Sequence, residues 1–234
     1  MSRIYLNCQE AMNEIKRNLY EMGLEVFPHS MQNKVVQGND DFSTKELQNE
    51  CFTIIDTSDK DKIVGKDLEW CKAEFTERIS GLENNPGKAW IIRKSTWEQF
   101  LNPLGKMDYT YADRIRTQID KVITEMKRNN DTRQAIISIH NSDRDIDSLG
   151  GKKRIPCSMF YQFMIRLNSD GQKKVNVTYV MRSSDYYTHF KNDIWLAAEM
   201  RDYIAAEVGL MPGTLTMFVS SLHMYKKDIE KNVY

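Results

Sequence analysis

The 234-residue sequence contains no apolar run long enough to span a membrane, and its opening residues lack the apolar core of a secretory leader, so no membrane partner is expected. Cysteine is scarce. Cys8, Cys51, Cys71 and Cys157 stand at spacings that fit no metal-ligand pattern, so no metal is expected and a reduced, cytoplasmic protein is the simplest reading. Proline is scarce too, at five residues, and no linker rich in Pro, Gly or Ser interrupts the chain. Without repeats or low-complexity tracts, the sequence reads as one domain over residues 1–234, long enough to bury a sizeable core. Neither sign of charge prevails, with 33 basic and 33 acidic residues. That balance argues against general nucleic-acid binding while allowing a local basic pocket.

Hydrophobic periodicity supplies the elements. Ala11, Ile15, Leu19 and Met22 predict an amphipathic helix over residues 8–22. Residues 26–42 are polar and rich in turn formers, which suits a loop or a short hairpin. Leu68, Cys71 and Phe75 open a second helix at Asp67, and residues 114–127 predict a third, with Ile115, Ile119, Val122, Ile123 and Met126 inward. Residues 134–140 read as a buried strand. Residues 159–167 and 174–181 read as two strands joined across Asn168-Ser169-Asp170-Gly171. A largely apolar helix over 194–208 and a strand over 214–220 follow. This order suits an α+β fold, helices packed on a mixed sheet.

The residues that carry chemistry come late and in a fixed order. A thiol, Cys157, follows Pro156 and precedes Tyr161-Gln162-Phe163; then come Arg182-Ser183 with Asp185, Phe190 with Asn192 and Asp193, and His223 with Tyr225. A thiolate is a strong nucleophile, and the residues around it suit a phosphate, a base and a sugar. A lone cysteine is more often a small buried hydrophobe, and only the company it keeps favours the nucleophile.

The ordered set resembles the thymidylate synthase family, well over the second half of the chain and weakly over the first. The resemblance implies a mixed sheet with packed helices, a homodimer joined through the sheets, and 5,10-methylenetetrahydrofolate as one-carbon donor. It implies thiolate attack by Cys157 on C6 of a pyrimidine nucleotide, which turns C5 into a nucleophile, with the positive charge of Arg182 nearby favouring the thiolate. By the same resemblance Arg182 and Ser183 bind phosphate, Asp185 belongs to the phosphate-and-base segment, His223 and Tyr225 hold the sugar hydroxyl, and Tyr111 lies near the departing C5 proton. Arg133 matches an arginine that the family sends to the partner's phosphate; Gln134 stands where the family has a second. Each has a plainer reading: Arg133 a solvated charge, Tyr111 a core tyrosine, His223 and Tyr225 the start of a helix after the last strand.

Asp193 stands where deoxyuridylate-specific members carry asparagine. A carboxylate accepts from the N4 amino group of cytosine and pairs with N3 once N3 holds a proton, so the expected substrate is dCMP, as in phage deoxycytidylate hydroxymethylases. If Asn192 reads the base instead, dUMP is the alternative, with a thymidylate synthase or dUMP hydroxymethylase activity; Asp193 is then only a first-turn acid of the next helix.

Three departures favour a third reading, a catalytically weak nucleotide- or RNA-binding relative. Asp67 stands in Lys66-Asp67-Leu68-Glu69-Trp70 where the family has a glutamate that organises water around the base, and a solvated helix start is its plainer reading. Gln134 is the second. The third is the short stretch from Tyr225 to Tyr234, where members usually continue into a tail over the folate. Trp90 and Trp97 offer stacking surfaces for a pterin or else core packing, and His29, Ser30 and Lys34 are equal candidates for an early phosphate contact.

Overall fold

The computed structural model describes residues 3–31, 34–148, 153–168 and 170–231, and only the backbone of Met31 and Lys34. Ser169 of the anticipated turn and Tyr234 lie outside the described residues.

The chain opens with β1 (Arg3–Tyr5) and α1 (Cys8–Met22), the helix where periodicity placed it. Its first turn is capped twice. Asn7 Oδ1 accepts from Glu10 N, and the Asp59 carboxylate accepts from the Cys8 and Gln9 amides, so donors that the helix cannot satisfy itself are matched by negative charge. β2 (Leu24–Val26), a two-rung hairpin of β3 (Ser30–Met31) and β4 (Lys34–Val35), and the long β5 (Thr44–Ile54) follow. Periodicity did not reveal β5, because its buried residues change alternation midway.

After α2 (Lys60–Val64) and a 3-10 turn ending at Asp67, α3 (Leu68–Ile79) carries Trp70, Cys71, Phe75 and Arg78 inward. Short helices α4 (Ala89–Ile92) and α5 (Lys94–Trp97) bring two tryptophans beside it. The helix expected over 114–127 is instead α6 (Tyr111–Ile115) and α7 (Ile119–Arg128). The break falls where the Gln118 amide donates to Arg114 O and Ser138 O and accepts from Ser138 N, tying the chain to β6 (Ile136–Ser138) rather than continuing one axis.

Beyond α8 (Ser142–Asp145) lie β7 (Ser158–Leu167), β8 (Lys173–Asp185), a π-helical turn (Tyr186–Phe190), α9 (Lys191–Glu207), β9 (Met211–Tyr225) and α10 (Lys226–Lys231). The sheet runs β1-β5-β9-β8-β7-β6, with β2 on β5. β1 pairs with β5 and β8 with β9 in parallel; the other pairs are antiparallel, so the sheet is mixed and the α+β expectation holds. α9 has no polar stripe because it is the buried centre of the helical layer, with Ile194, Trp195, Leu196, Ala197, Ala198 and Met200 all in the core.

Three adjacent strands change alternation at one level. In β8 the buried residues are Val177, Tyr179 and Met181, then Ser184; in β9 they are Leu215, Met217 and Val219, then Leu222 and Met224. In β5 Leu47 gives way to Glu50, with Asn49 between them at φ 55. The register sets Asn49 beside Ser220, and Ser220 beside Arg182. This line turns Ser183, Asp185, His223 and Tyr225 out of the core. Asparagine tolerates the left-handed region, whereas a β-branched residue does not. Asn49→Val is expected to cost about 1–2 kcal/mol in urea unfolding and Asn49→Gly much less; equal stabilities would refute a backbone origin for the kink.

Candidate active site

One cavity of about 440 Å³ gathers Cys157, Tyr111, Arg182, Ser183, Asp185, Asp193, His223 and Tyr225. Cys157, half-buried, ends the loop into β7, and its neighbours follow from the strand register. Ser183 Oγ donates to Cys157 Sγ at 3.6 Å, and Arg182 N donates to Cys157 O. The Arg182 guanidinium clasps the same loop, from Nε to Pro156 O at 2.9 Å and from Nη2 to Ile155 O at 3.1 Å. A fixed positive charge therefore stands beside the thiol, though its donors are spent largely on the loop.

Tyr111, at the first position of α6, accepts a hydrogen bond from Ser158 Oγ at 3.2 Å, and Ser158 also meets the Tyr179 hydroxyl. Burial pushes the Tyr111 phenol well above its ordinary pKa, so it rests as the neutral form. Asp185 Oδ1 accepts from the Tyr187 and Thr188 amides and so holds the π-helical turn. His223 and Tyr225 lie in β9, not at a helix start, with rings 5.3 Å apart and edge to face. Burial lowers the His223 pKa, which keeps the imidazole neutral. Ser221 Oγ, bonded to Glu46 Oε2, stands 3.4 Å from His223 Nδ1 and helps orient the ring.

Asp193 sits in the first turn of α9. Ser184 Oγ donates to its Oδ2 at 2.7 Å, yet burial dominates and raises the carboxyl to about 7. Asn192 is buried and turned away, its amide meeting Asp67 Oδ2 at 3.4 Å and its oxygen facing Cys71 Sγ. Of the two candidate base readers, only Asp193 lines the cavity.

Two expected site residues are placed elsewhere. Asp67 is not among the cavity-lining residues; it ends a 3-10 turn, 3.1 Å from Lys191 Nζ and 3.8 Å from Arg93 Nε. Despite the cost of burial, Arg93 first and then Lys191 hold its pKa below the usual carboxylate value, so it clasps elements together. The physical reason is local: the 3-10 turn before α3 points Asp67 at α9, while the next turns of α3 face the cavity. Arg133 is exposed and away from the cavity of its own chain, in the loop before β6. Of the early phosphate candidates, Ser30 lines the cavity, His29 does not, and the Lys34 side chain lies outside the described set.

Several lining residues escaped the sequence reading. Trp70, Phe100 and Tyr109 join Trp90 and Trp97, which the sequence had offered as stacking surfaces, in an aromatic wall, with Trp70 and Trp97 stacked at 5.9 Å. Arg154 sits 3.6 Å over the Phe100 ring. His189, 5.2 Å from Trp97, is kept neutral by burial and by Arg93, its pKa near 4. Glu74 and Arg78 of α3 complete the wall. Four-residue spacing from Trp70 to Glu74 to Arg78 was the available signal, since such residues share one helix face. Among the described residues no cluster of three His, Cys, Asp or Glu could hold a metal, and no helix is long and apolar enough to cross a membrane.

Comparison with known proteins adds three findings. The thymidylate synthase family model matches residues 39–233. A Methanopyrus kandleri protein, provisionally named a thymidylate synthase, is 28% identical over 138 residues, covering 56% of this chain and 62% of that protein. A like-named Methanosarcina barkeri protein is 32% identical over 129 residues, covering 52% and 54%. The aligned part thus spans little more than half the length of these relatives. In three dimensions the chain is similar to the crystal structure of thymidylate synthase from T4 phage, with a TM-score of 0.70 at 20% identity over 96% of this chain and 79% of that one.

Proposed function

The chain belongs to the thymidylate synthase family, and from that premise we propose that it is a pyrimidine-nucleotide C5 one-carbon transferase acting on dCMP, with a 5-hydroxymethyl product. The observation that carries the substrate choice is Asp193. An ionisable carboxyl, not an amide, lines the cavity beside Ser184, and its pKa near 7 lets it hold a proton for sharing with a base.

In this reading the Cys157 thiolate adds to C6 and the electron pair of the C5–C6 double bond moves toward C5. N3 becomes more basic, and the proton shared with Asp193 moves toward it, so the contact strengthens as reaction proceeds. Tyr111, held by Ser158 and resting as the neutral phenol, stands on the cavity wall where its hydroxyl would orient a water that takes up the C5 proton and passes it to solvent. Arg182 and Ser183 meet the phosphate, and His223 with Tyr225 the sugar.

The aromatic wall fits a folate. The buried indole N–H groups of Trp70 and Trp97 have no acceptor among the described residues, and a pterin offers both a stacking face and acceptors. Trp97, Phe100, Trp90 and His189 would hold it. When bound, 5,10-methylenetetrahydrofolate supplies a one-carbon unit at the oxidation level of formaldehyde. Dimerisation is supported by the sheet face away from the helices, where Phe160, Met164, Val180 and Phe218 are half-exposed, and by Arg133, which is exposed and does not line the cavity of its own chain.

The names of the methanogen relatives favour a second reading, methylation of dUMP. Tritium release from C5-labelled dCMP and dUMP, with methylenetetrahydrofolate present, separates the two. Faster release from dCMP is expected, and the mass of the product distinguishes hydroxymethyl from methyl. Release from neither nucleotide would end the transferase reading.

A further inference from the structure

The sugar end of the cavity is wired from β5, a strand that supplies none of the lining residues. Antiparallel pairing of β5 with β9 sets Glu46 directly opposite His223 and Gln48 opposite Ser221. Ser221 Oγ donates to Glu46 Oε2, and Gln48 Nε2 donates to Glu46 Oε1 at 3.2 Å. A carboxylate only accepts, so the Ser221 hydroxyl proton is committed to Glu46, and the hydroxyl oxygen is left to accept from His223 Nδ1 at 3.4 Å. The Ser221 carbonyl, also 3.4 Å from Nδ1, is an acceptor too. Both neighbours of Nδ1 therefore call for a donor. Burial keeps the imidazole neutral, so it holds a single ring proton. That proton belongs on Nδ1 and leaves Nε2 with a lone pair. Among the described residues no hydrogen bond reaches Nε2, and His223 lines the cavity.

We propose that Glu46 is a positioning residue that, through Ser221, fixes His223 as the Nδ1–H tautomer, so that the sugar end of the cavity takes only a nucleotide whose 3′ hydroxyl is free to donate a hydrogen bond. The inference rests on His223 meeting the sugar. A deoxyribonucleoside 5′-monophosphate keeps one sugar hydroxyl, the 3′ one, and that group can give its proton to Nε2. A 3′-phosphate, or the 3′-phosphodiester of a longer chain, presents only acceptors there. It would set them against the Nε2 lone pair and leave both sides unpaired in a half-buried site. The site is thus built for a monomeric nucleotide, and the internal positions of an RNA or DNA chain do not fit it.

The first test reads the tautomer in the intact wild-type protein without ligand. Imidazole nitrogen NMR, with His223 assigned among the four histidines by the signal lost in His223→Gln, should show a protonated Nδ1 and a bare Nε2. The second is titration calorimetry with three ligands: dCMP, its 3′-fluoro analogue, which is small and uncharged at that position but cannot donate, and deoxycytidine 3′,5′-bisphosphate. Wild type should bind the fluoro analogue about tenfold more weakly than dCMP, and the bisphosphate about 10²-fold more weakly. In Glu46→Gln, Gln48 holds the new amide oxygen, the amide nitrogen donates to Ser221 Oγ, and the released hydroxyl proton turns to Nδ1. Nε2 should then carry the ring proton, and the gap between dCMP and the fluoro analogue should close to within about threefold. Ser221→Thr keeps the hydroxyl and should keep the wild-type pattern. A Glu46→Gln variant that weakens all three ligands alike with an unchanged tautomer would mark a structural role and overturn the inference. Should that variant not fold, the wild-type tautomer and the fluoro analogue decide: a protonated Nε2, or equal affinity for dCMP and the analogue, overturns the inference while dCMP binding leaves the functional reading standing. Protein that binds neither dCMP nor dUMP would overturn the functional reading and this inference together.

Discussion

Cys157→Ala is expected to abolish C5 tritium release, by a factor on the order of 10⁴ or more, while leaving dCMP affinity within about threefold. Without the sulfur no C6 adduct forms, so C5 never becomes nucleophilic; the phosphate, sugar and base contacts remain, so binding persists. The split between turnover and affinity is the informative part. Cys157 does little structural work, since it is half-buried, its Sγ takes one long hydrogen bond from Ser183, and its carbonyl, unchanged in the variant, accepts from Arg182 N. A thermal unfolding midpoint close to wild type should therefore accompany the loss. Retained release would remove the nucleophile and with it the proposed chemistry.

Asp193→Asn is expected to reverse base preference, from dCMP to dUMP, by about 10² or more in kcat/KM. An amide presents a fixed donor and a fixed acceptor, which match O4 and N3–H of uracil and oppose the amino edge of cytosine. The carboxyl of wild type carries a movable proton instead. Burial raises it to about 7, so below that pH the free protein already holds the proton that cytosine N3 will share. Above it the proton must come from solvent. Affinity for dCMP should thus fall by up to about tenfold per pH unit above 7, with uptake of one proton per dCMP bound, visible as a buffer-dependent binding enthalpy. The sign follows from the raised pKa: the form that binds is the protonated one, present below 7 and lost above. Asp193→Asn should remove both the slope and the buffer dependence. An unchanged dCMP preference in that variant would reject Asp193 as the base reader.

These two residues were legible before any fold was known, and so was most of the second half of the chain. Cys157, Arg182, Ser183, Asp185, Asp193, His223 and Tyr225 all line one cavity. The reason is short range. Ser183 and Asp185 lie on one strand with Cys157 on the loop beside it, and Asp193 follows within a single turn and a helix start, so order along the chain translates directly into proximity. α1, β7 and β8 were visible because each buries one face at a regular period, and α9 because its central stretch is apolar nearly throughout.

The first half was legible only in part. Asp67 was chosen by its distance from Trp70, but that distance says nothing about where a helix begins. The chain enters α3 through a 3-10 turn, so Asp67 meets Lys191 and Arg93 while Glu74, one turn past Trp70, reaches the cavity. The line Asn49, Ser220 and Arg182 was hidden for a similar reason. Its residues are far apart in sequence, and a change of alternation weakens the strand pattern at the place where it matters.

The sequence by itself pointed to the thiol and the acid on which the proposed function rests and determined the α+β order of elements, because those depend on residue chemistry and on contacts close along the chain. Only the tertiary structure decided which residues of α3 line the cavity, how far Asp193 is stripped of water, and which cations clasp Asp67. Burial and charge fields are set by segments that meet across long sequence separations, and no local pattern carries that information.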